Sequence, residues 1–170
     1  WSWGISVGYR SGPESKLDVN QQYVTGQNAE EQLRLAESRI PISFFYLHSR
    51  SRLAAEARMG LTLARGDLDW SETSGSGRES EVHTQGSGDG LHIGGEVALQ
   101  VTEGLELFVG VDYVWVEMEN FTGRAGRSDV RSVYTEEDQG RRIHAVPPIF
   151  TGLPGARDLE YHASGARLSA

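Results

Sequence analysis

The stretch Leu105-Glu-Leu-Phe-Val-Gly-Val-Asp-Tyr-Val-Trp115 decides how this chain is read. Every odd-numbered residue in it is apolar or aromatic, while Glu106, Gly110 and Asp112 interrupt the even set. A period of two is the mark of a β-strand, whose successive side chains point to opposite faces. The apolar face ends in Tyr113 and Trp115, residue types that settle where hydrocarbon meets water because the ring stays dry and its polar tip stays wet. The segment reads as a strand with one face toward lipid.

Five further segments share this grammar. Trp1, Trp3, Ile5, Val7 and Tyr9 alternate with Ser2, Gly4, Ser6, Gly8 and Arg10. Ile40, Ile42, Phe44 and Tyr46 make one face of a second strand, in which Phe45 and Leu47 are apolar too and Pro41 suggests an edge or a bulge. Leu53, Ala55, Ala57, Met59, Leu61 and Leu63 oppose Glu56, Arg58, Gly60 and Thr62. Leu91, Ile93, Val97, Leu99 and Val101 oppose His92, Gly94, Glu96 and Gln100. A last strand runs through Leu159 to Ala170, with Ala166, Leu168 and Ala170 outward and Arg167 and Ser169 inward.

The links alternate in length. Long polar stretches at 12–38, 72–90 and 120–158 take turns with the short links His48–Arg52 and Thr102–Gly104. Long loops at one end and tight turns at the other match the outer-membrane arrangement of extracellular loops and periplasmic turns. In that frame Trp1 and Trp3 form one aromatic belt, and Tyr9, Tyr113 and Trp115 the other.

Composition narrows the alternatives. A net charge of −8 disfavours the clustered cations that nucleic acid needs. There is no cysteine, hence neither a disulfide framework nor a thiolate metal site. No apolar run approaches the ~20 residues of a membrane-spanning helix, but alternating barrel strands keep mean hydropathy low even when an apolar band is continuous. Trp1-Ser-Trp-Gly4 has neither the basic start nor the apolar centre of a signal peptide.

On these six strands and their loop pattern the chain resembles the small outer-membrane β-barrel proteins of the OmpA and porin-like type. The resemblance implies an all-β transmembrane up-and-down barrel of about eight strands in the outer membrane of a Gram-negative bacterium, with membrane lipid as its surroundings. Two strands are then unaccounted for. They lie within the long stretches, at Leu17–Thr25 and Val130–Thr135, or the chain is part of a longer barrel, which is the better fit because both ends cut a strand pattern.

The inward set fixes what such a barrel could do. Ser2, Gly4, Ser6, Gly8, Ala54, Gly60, Gly94, Ala98 and Gly110 are small, and among them stand Arg10, Glu56, Arg58, His92, Glu96, Glu106 and Asp112. Charges of both signs in a narrow lumen must pair, because an isolated buried charge costs several kcal/mol. The expected arrangement is a salt-bridged plug with Arg58 near Glu96, in preference to a narrow pore. A lipid-modifying enzyme is a minor alternative: His92 and Glu96 could form a base pair, but no serine stands out as a nucleophile. The other histidines show no metal-ligand spacing, Gly86-Ser-Gly-Asp-Gly90 reads as a flexible loop tip, and no cofactor is implied.

Recognition is expected in the loops. The stretch 120–158 is rich in apolar groups, and Val146-Pro147-Pro148-Ile149-Phe150 should be extended and stiff, suited to a protein partner or to threading the lumen. The rival reading is a soluble lipocalin-like barrel that binds a small apolar ligand, with Trp1, Trp3, Leu105, Tyr113 and Trp115 turned inward.

Overall fold

Period-two alternation gives strands throughout and, among the described residues, no helix. The computed structural model describes residues 1–12, 15–22, 28–74, 79–137, 140–148 and 153–169. They form one antiparallel sheet curled like a half-barrel. Strands β1 (Ser2–Val7), β2 (Arg10–Ser11) and β3 (Ser15–Gln22) lie end to end along β4 (Asn28–Arg50). Next in order come β5 (Leu53–Ser74), β6 (Glu79–Thr102) and β7 (Leu105–Ala125), each paired with its predecessor.

The far edge of β7 is shared. Its middle, Gly110 to Met118, pairs with β11 (Tyr161–Ser169), and its end, Thr122 to Ala125, pairs with β8 (Ser128–Glu137). Strands β9 (Gly140–Val146) and β10 (Arg157–Asp158) extend this upper corner by pairing with β8.

The long polar stretches are therefore largely strand, which corrects the loop assignment at 12–38, 72–90 and 120–158. β4 to β7 run 21 to 24 residues, about twice the 9–11 that cross a bilayer. In β6 the upper half is disguised by glycine. A Cβ on Gly88 or Gly90 would lie 1.7 Å from the carbonyl oxygen of Glu117 or 1.9 Å from that of Trp115. Gly86-Ser-Gly-Asp-Gly90 is thus a strand where the neighbouring backbone presses close, and no flexible tip. The candidate extra strands do not add a wall either. Leu17 to Gln22 continues β1's line along β4 as part of β3, residues 23–25 lie outside the described set, and Val130–Thr135 lies in β8 at the top of β7.

Pro41 sits inside β4, flanked on both sides, and the partner strand pays the cost: β1 and β2 are interrupted at Gly8 and Tyr9, opposite the missing N–H, and Gly8 N donates to Pro41 O. A bulge in β7 matters equally. Between the pairs Gln85↔Thr122 and Ser87↔Glu119, β6 has one residue and β7 has two. Asn120 takes a left-handed φ of 56° there, and the extra residue swaps the parity of β7, so that Phe121 points inward although Met118 also does.

Curl follows from one contact. Arg10 is in register with Arg39, Ala64, Gly88 and finally Met118 across four ladders. Its guanidinium nevertheless reaches Asp112, at 3.3 Å, six residues from Met118 (118 − 112 = 6). On a flat sheet four ladders alone would hold the two residues ~19 Å apart, so the contact requires the sheet to curl.

Candidate functional site

Two surfaces are built by the alternation, and they are best described from the outside in. On the convex face, Trp1, Trp3, Ile5, Val7 and Tyr9, then Ile40, Ile42, Phe44 and Tyr46, then Leu53, Met59, Leu61 and Leu63, then Leu91, Ile93, Val97, Leu99 and Val101, then Leu105 to Trp115 at odd positions are all exposed. They run from strand to strand as a continuous apolar band. Trp1 stacks on Tyr46 and His48 with ring centroids 5.3 and 3.6 Å apart, and Trp3 stacks on Phe44 at 6.1 Å. The predicted belt residues Trp1, Trp3, Tyr9, Tyr113 and Trp115 all face out, between 45% and 79% exposed.

The band stops abruptly. The outward residues that follow Ile40, Leu63, Leu91 and Trp115 are Ser38, Arg65, Asp89 and Glu117. From there upward the convex face is polar, with Arg65 donating to Gln85 and His83 against Asp69 at 2.5 Å.

The concave face changes in the opposite sense. Level with the apolar band it is polar. Arg58 donates from Nε and Nη2 to both oxygens of Asp112, at 2.8 and 2.9 Å, a planar two-point clasp. Arg10 donates to the same carboxylate, and Arg58 Nη1 donates to Glu56 at 3.0 Å. Gly94 makes the room: a Cβ there would lie 2.0 Å from Asp112 Oδ1. Next to this layer His92 is held between Ser43 (Nε2 to Oγ, 2.7 Å) and Thr62 (Nδ1 to Oγ1, 2.9 Å). Arg39 pairs with Glu37. Above the band the same inner face is a hydrophobic core of Leu35, Ala64, Leu68, Val116, Met118 and Phe121, all buried.

The predicted charge network is thus brought together in part. Arg10, Arg58, Glu56 and Asp112 form one cluster, but the partners of Arg58 are Asp112 and Glu56, where Glu96 was expected. Glu96 is half-buried outside the ion pairs described, and Glu106 is exposed at the lower end. Among the described residues the side-chain hydrogen bonds of His92 go to two hydroxyls. Ser43 and Thr62 were missed. Their inward parity on β4 and β5 was visible, but which inward residues share a height depends on strand stagger, which sequence does not print.

Chemically this layer pairs charges around a small cavity. The Ser43–His92 pair has nucleophile-and-base geometry, yet the cavity it shares with Arg10, Arg39, Arg58 and Asp112 is about 40 Å³, room for a water and little else. At the top of the convex face Glu117 of β7, Glu160 just before β11 and His162 of β11 come together, their ligand-type atoms within 4.8 Å of one another, Glu117 half-buried and the other two exposed. Of the expected recognition segment, Val146 is buried at the end of β9, Pro147 and Pro148 are exposed, and Ile149 and Phe150 lie outside the described residues. β8 folds against the inner face here, with Thr84 Oγ1 and Ser132 Oγ 2.9 Å apart.

No protein-family model, curated protein or solved structure matches this chain.

Proposed function

We propose that this chain is the wall of an outer-membrane β-barrel with a closed lumen, a structural or partner-binding element of a Gram-negative outer membrane. One observation carries the reading: polarity inverts on both faces at the level of Ile40, Leu63, Leu91 and Trp115. Above that level the molecule is built like a protein in water, apolar inside and charged outside. Below it, ions line the inside and Leu, Ile, Val and aromatic rings cover the outside. Water gives no reason for the lower half, whereas hydrocarbon does. From Leu105 to Trp115 the band spans ten residue steps, ~33 Å along a strand and about 23 Å along the axis at the ~45° tilt of such barrels, close to the ~25 Å apolar band of outer-membrane barrels.

The rival soluble ligand-binder needs Trp1, Trp3, Leu105, Tyr113 and Trp115 inside, and their exposure favours the membrane instead. The ion layer and the apolar core above it support a plugged lumen over a pore. The upper strands, with Pro147 and Pro148 exposed near β8, are where a protein partner would dock.

The test is partition and heat modification. The protein should require detergent for extraction and should migrate differently on an SDS gel with and without boiling, because a closed barrel resists SDS. Recovery in the aqueous fraction without detergent, as a monodisperse species, would end the proposal.

A further inference from the structure

Where β7 and β11 leave the apolar band, their register sets three ligand-type side chains together on the convex face. Glu117 stands directly opposite His162 in the β7–β11 ladder, and Glu160 lies two positions before His162. His162 Nδ1 is 3.8 Å from Glu117 Oε1, and its Nε2 is 3.8 Å from Glu160 Oε2. All three residues offer ligand atoms within 4.8 Å of one another. Two ligand atoms that each sit ~2.1 Å from one ion are ~3 to 4 Å apart, depending on the angle between the bonds. The trio is therefore spaced as a ligand set that an ion would draw in by about 1 Å, a movement within reach of rotations about the glutamate side-chain bonds. Spacing in the sequence does not show this set, because Glu117 joins the other two only through the ladder.

The charge around the trio calls for a cation. Asp89 of β6 stands directly opposite Glu117, and Glu119 is exposed two positions further along β7. Like charges directly opposite each other destabilise a ladder. Several other carboxylates of the upper sheet meet an arginine: Asp67 meets Arg65, Asp129 meets Arg124, Asp158 meets Arg131 and Glu136 meets Arg157. Among the described residues, the ion partner of Glu117 and of Glu160 is His162. Arg157 acts on Glu160 only at longer range, since its own ion pair is with Glu136, at 3.8 Å. One imidazole among four carboxylates leaves the patch negative, with a nitrogen ligand in its middle. That nitrogen decides the kind of ion. Calcium and magnesium take oxygen ligands, whereas imidazole suits zinc and its neighbours in the first transition row.

We propose that Glu117, Glu160 and His162 bind one divalent ion of the zinc class, through an oxygen of each glutamate and a ring nitrogen of the histidine. Three protein ligands leave a fourth position open to water. The ion would fasten the start of β11 to β7, the strand with which β11 pairs among the described residues. The site goes beyond the membrane reading and does not depend on it, because coordination here needs neither lipid nor a closed lumen.

The test uses the whole polypeptide, free of any purification tag, stripped with a chelator and titrated with Zn²⁺ by calorimetry and with Co²⁺ by visible absorption. One ion should bind per chain, Co²⁺ should develop the bands of a four-coordinate site, and equal Ca²⁺ or Mg²⁺ should not displace it. His162→Ala and Glu160→Gln should each weaken Zn²⁺ binding by about tenfold or more, since even the outer partners of a metal ligand are worth that much. His83→Ala removes an exposed histidine paired with Asp69 elsewhere on the convex face and should leave binding unchanged. His162 and Glu160 are exposed, so both variants should keep the fold, checked by circular dichroism. Absence of uptake, unchanged binding in Glu160→Gln, or a loss in His83→Ala equal to that in His162→Ala would overturn the proposal. Displacement by Ca²⁺ would overturn it too, by showing an acidic patch in which the imidazole has no part.

Discussion

Asp112 is the residue on which the inner face turns. Its carboxylate accepts from Arg58 at two points and from Arg10 at a third, and it ties β2 to β7, four ladders away. Removing the anion leaves two guanidinium groups with only Glu56, on Arg58, as a counter-charge, the expensive way to break a buried pair. Asp112→Ala should therefore cost roughly 3–5 kcal/mol, read as a fall in the temperature at which the SDS-resistant form is lost. Gly94→Ala should cost a similar amount for a different reason, because the new methyl group would occupy the place of Asp112 Oδ1. The two effects share one cause, so in the Asp112→Ala background Gly94→Ala should become close to neutral. Additive losses in that double-mutant cycle would show that Gly94 is needed for something other than this carboxylate. The pairing itself was only half legible. That Arg10, Arg58 and Asp112 face inward follows from parity; that Arg58 meets Asp112 and not Glu96 follows from the register, which sets Arg58 opposite Gly94 and Gly94 opposite Asp112.

A strand of this protein does two jobs along its length, and β7 shows both. Val109 is 65% exposed within the apolar band, and Glu119 is exposed above it. In water a change at either exposed position would be worth no more than about 0.5 kcal/mol. In a bilayer the depth decides: Val109→Arg should destabilise by about 2–4 kcal/mol, and Glu119→Arg should be near zero. Equal and small effects at both positions, measured by the same gel shift, would place the band in water. The lower half of β7 was readable because its odd residues are all apolar. The upper half was not, because the bulge at Asn120 reverses parity and brings Phe121 inward, against Gly86. Gly86 belongs to a run whose composition resembles a loop. A Cβ at Gly86 would meet the Phe121 ring at 2.7 Å, so Gly86→Ala should weaken the upper sheet, and hydrogen exchange of β6 near Thr84 should quicken while the band residues of β6 stay protected.

Taken as a whole, the concave face is filled at two heights by unlike materials, which on the proposed membrane reading would block a lumen twice. Within the band the block is ionic, with Arg10, Glu56, Arg58 and Asp112 beside the Ser43–His92–Thr62 cluster. Above the band it is apolar, with Leu68, Met118 and Phe121 buried at its centre. An ion crossing the lower layer would displace paired charges, and at the upper layer it would meet side chains that offer it no ligand at all. Each block alone suffices, so the protein in a planar bilayer should show no stepwise conductance, and Asp112→Ala should stay silent because the apolar core is untouched. Phe121→Ala with Met118→Ala should also stay silent, since the arginines still grip Asp112 below. Conductance should emerge only when both layers are removed together, as in Asp112→Ala combined with Phe121→Ala and Met118→Ala, provided that the triple variant keeps its heat-modifiable band. Steps of porin size from the unaltered protein would mean that these contacts part readily, and a barrel so easily opened would be a channel.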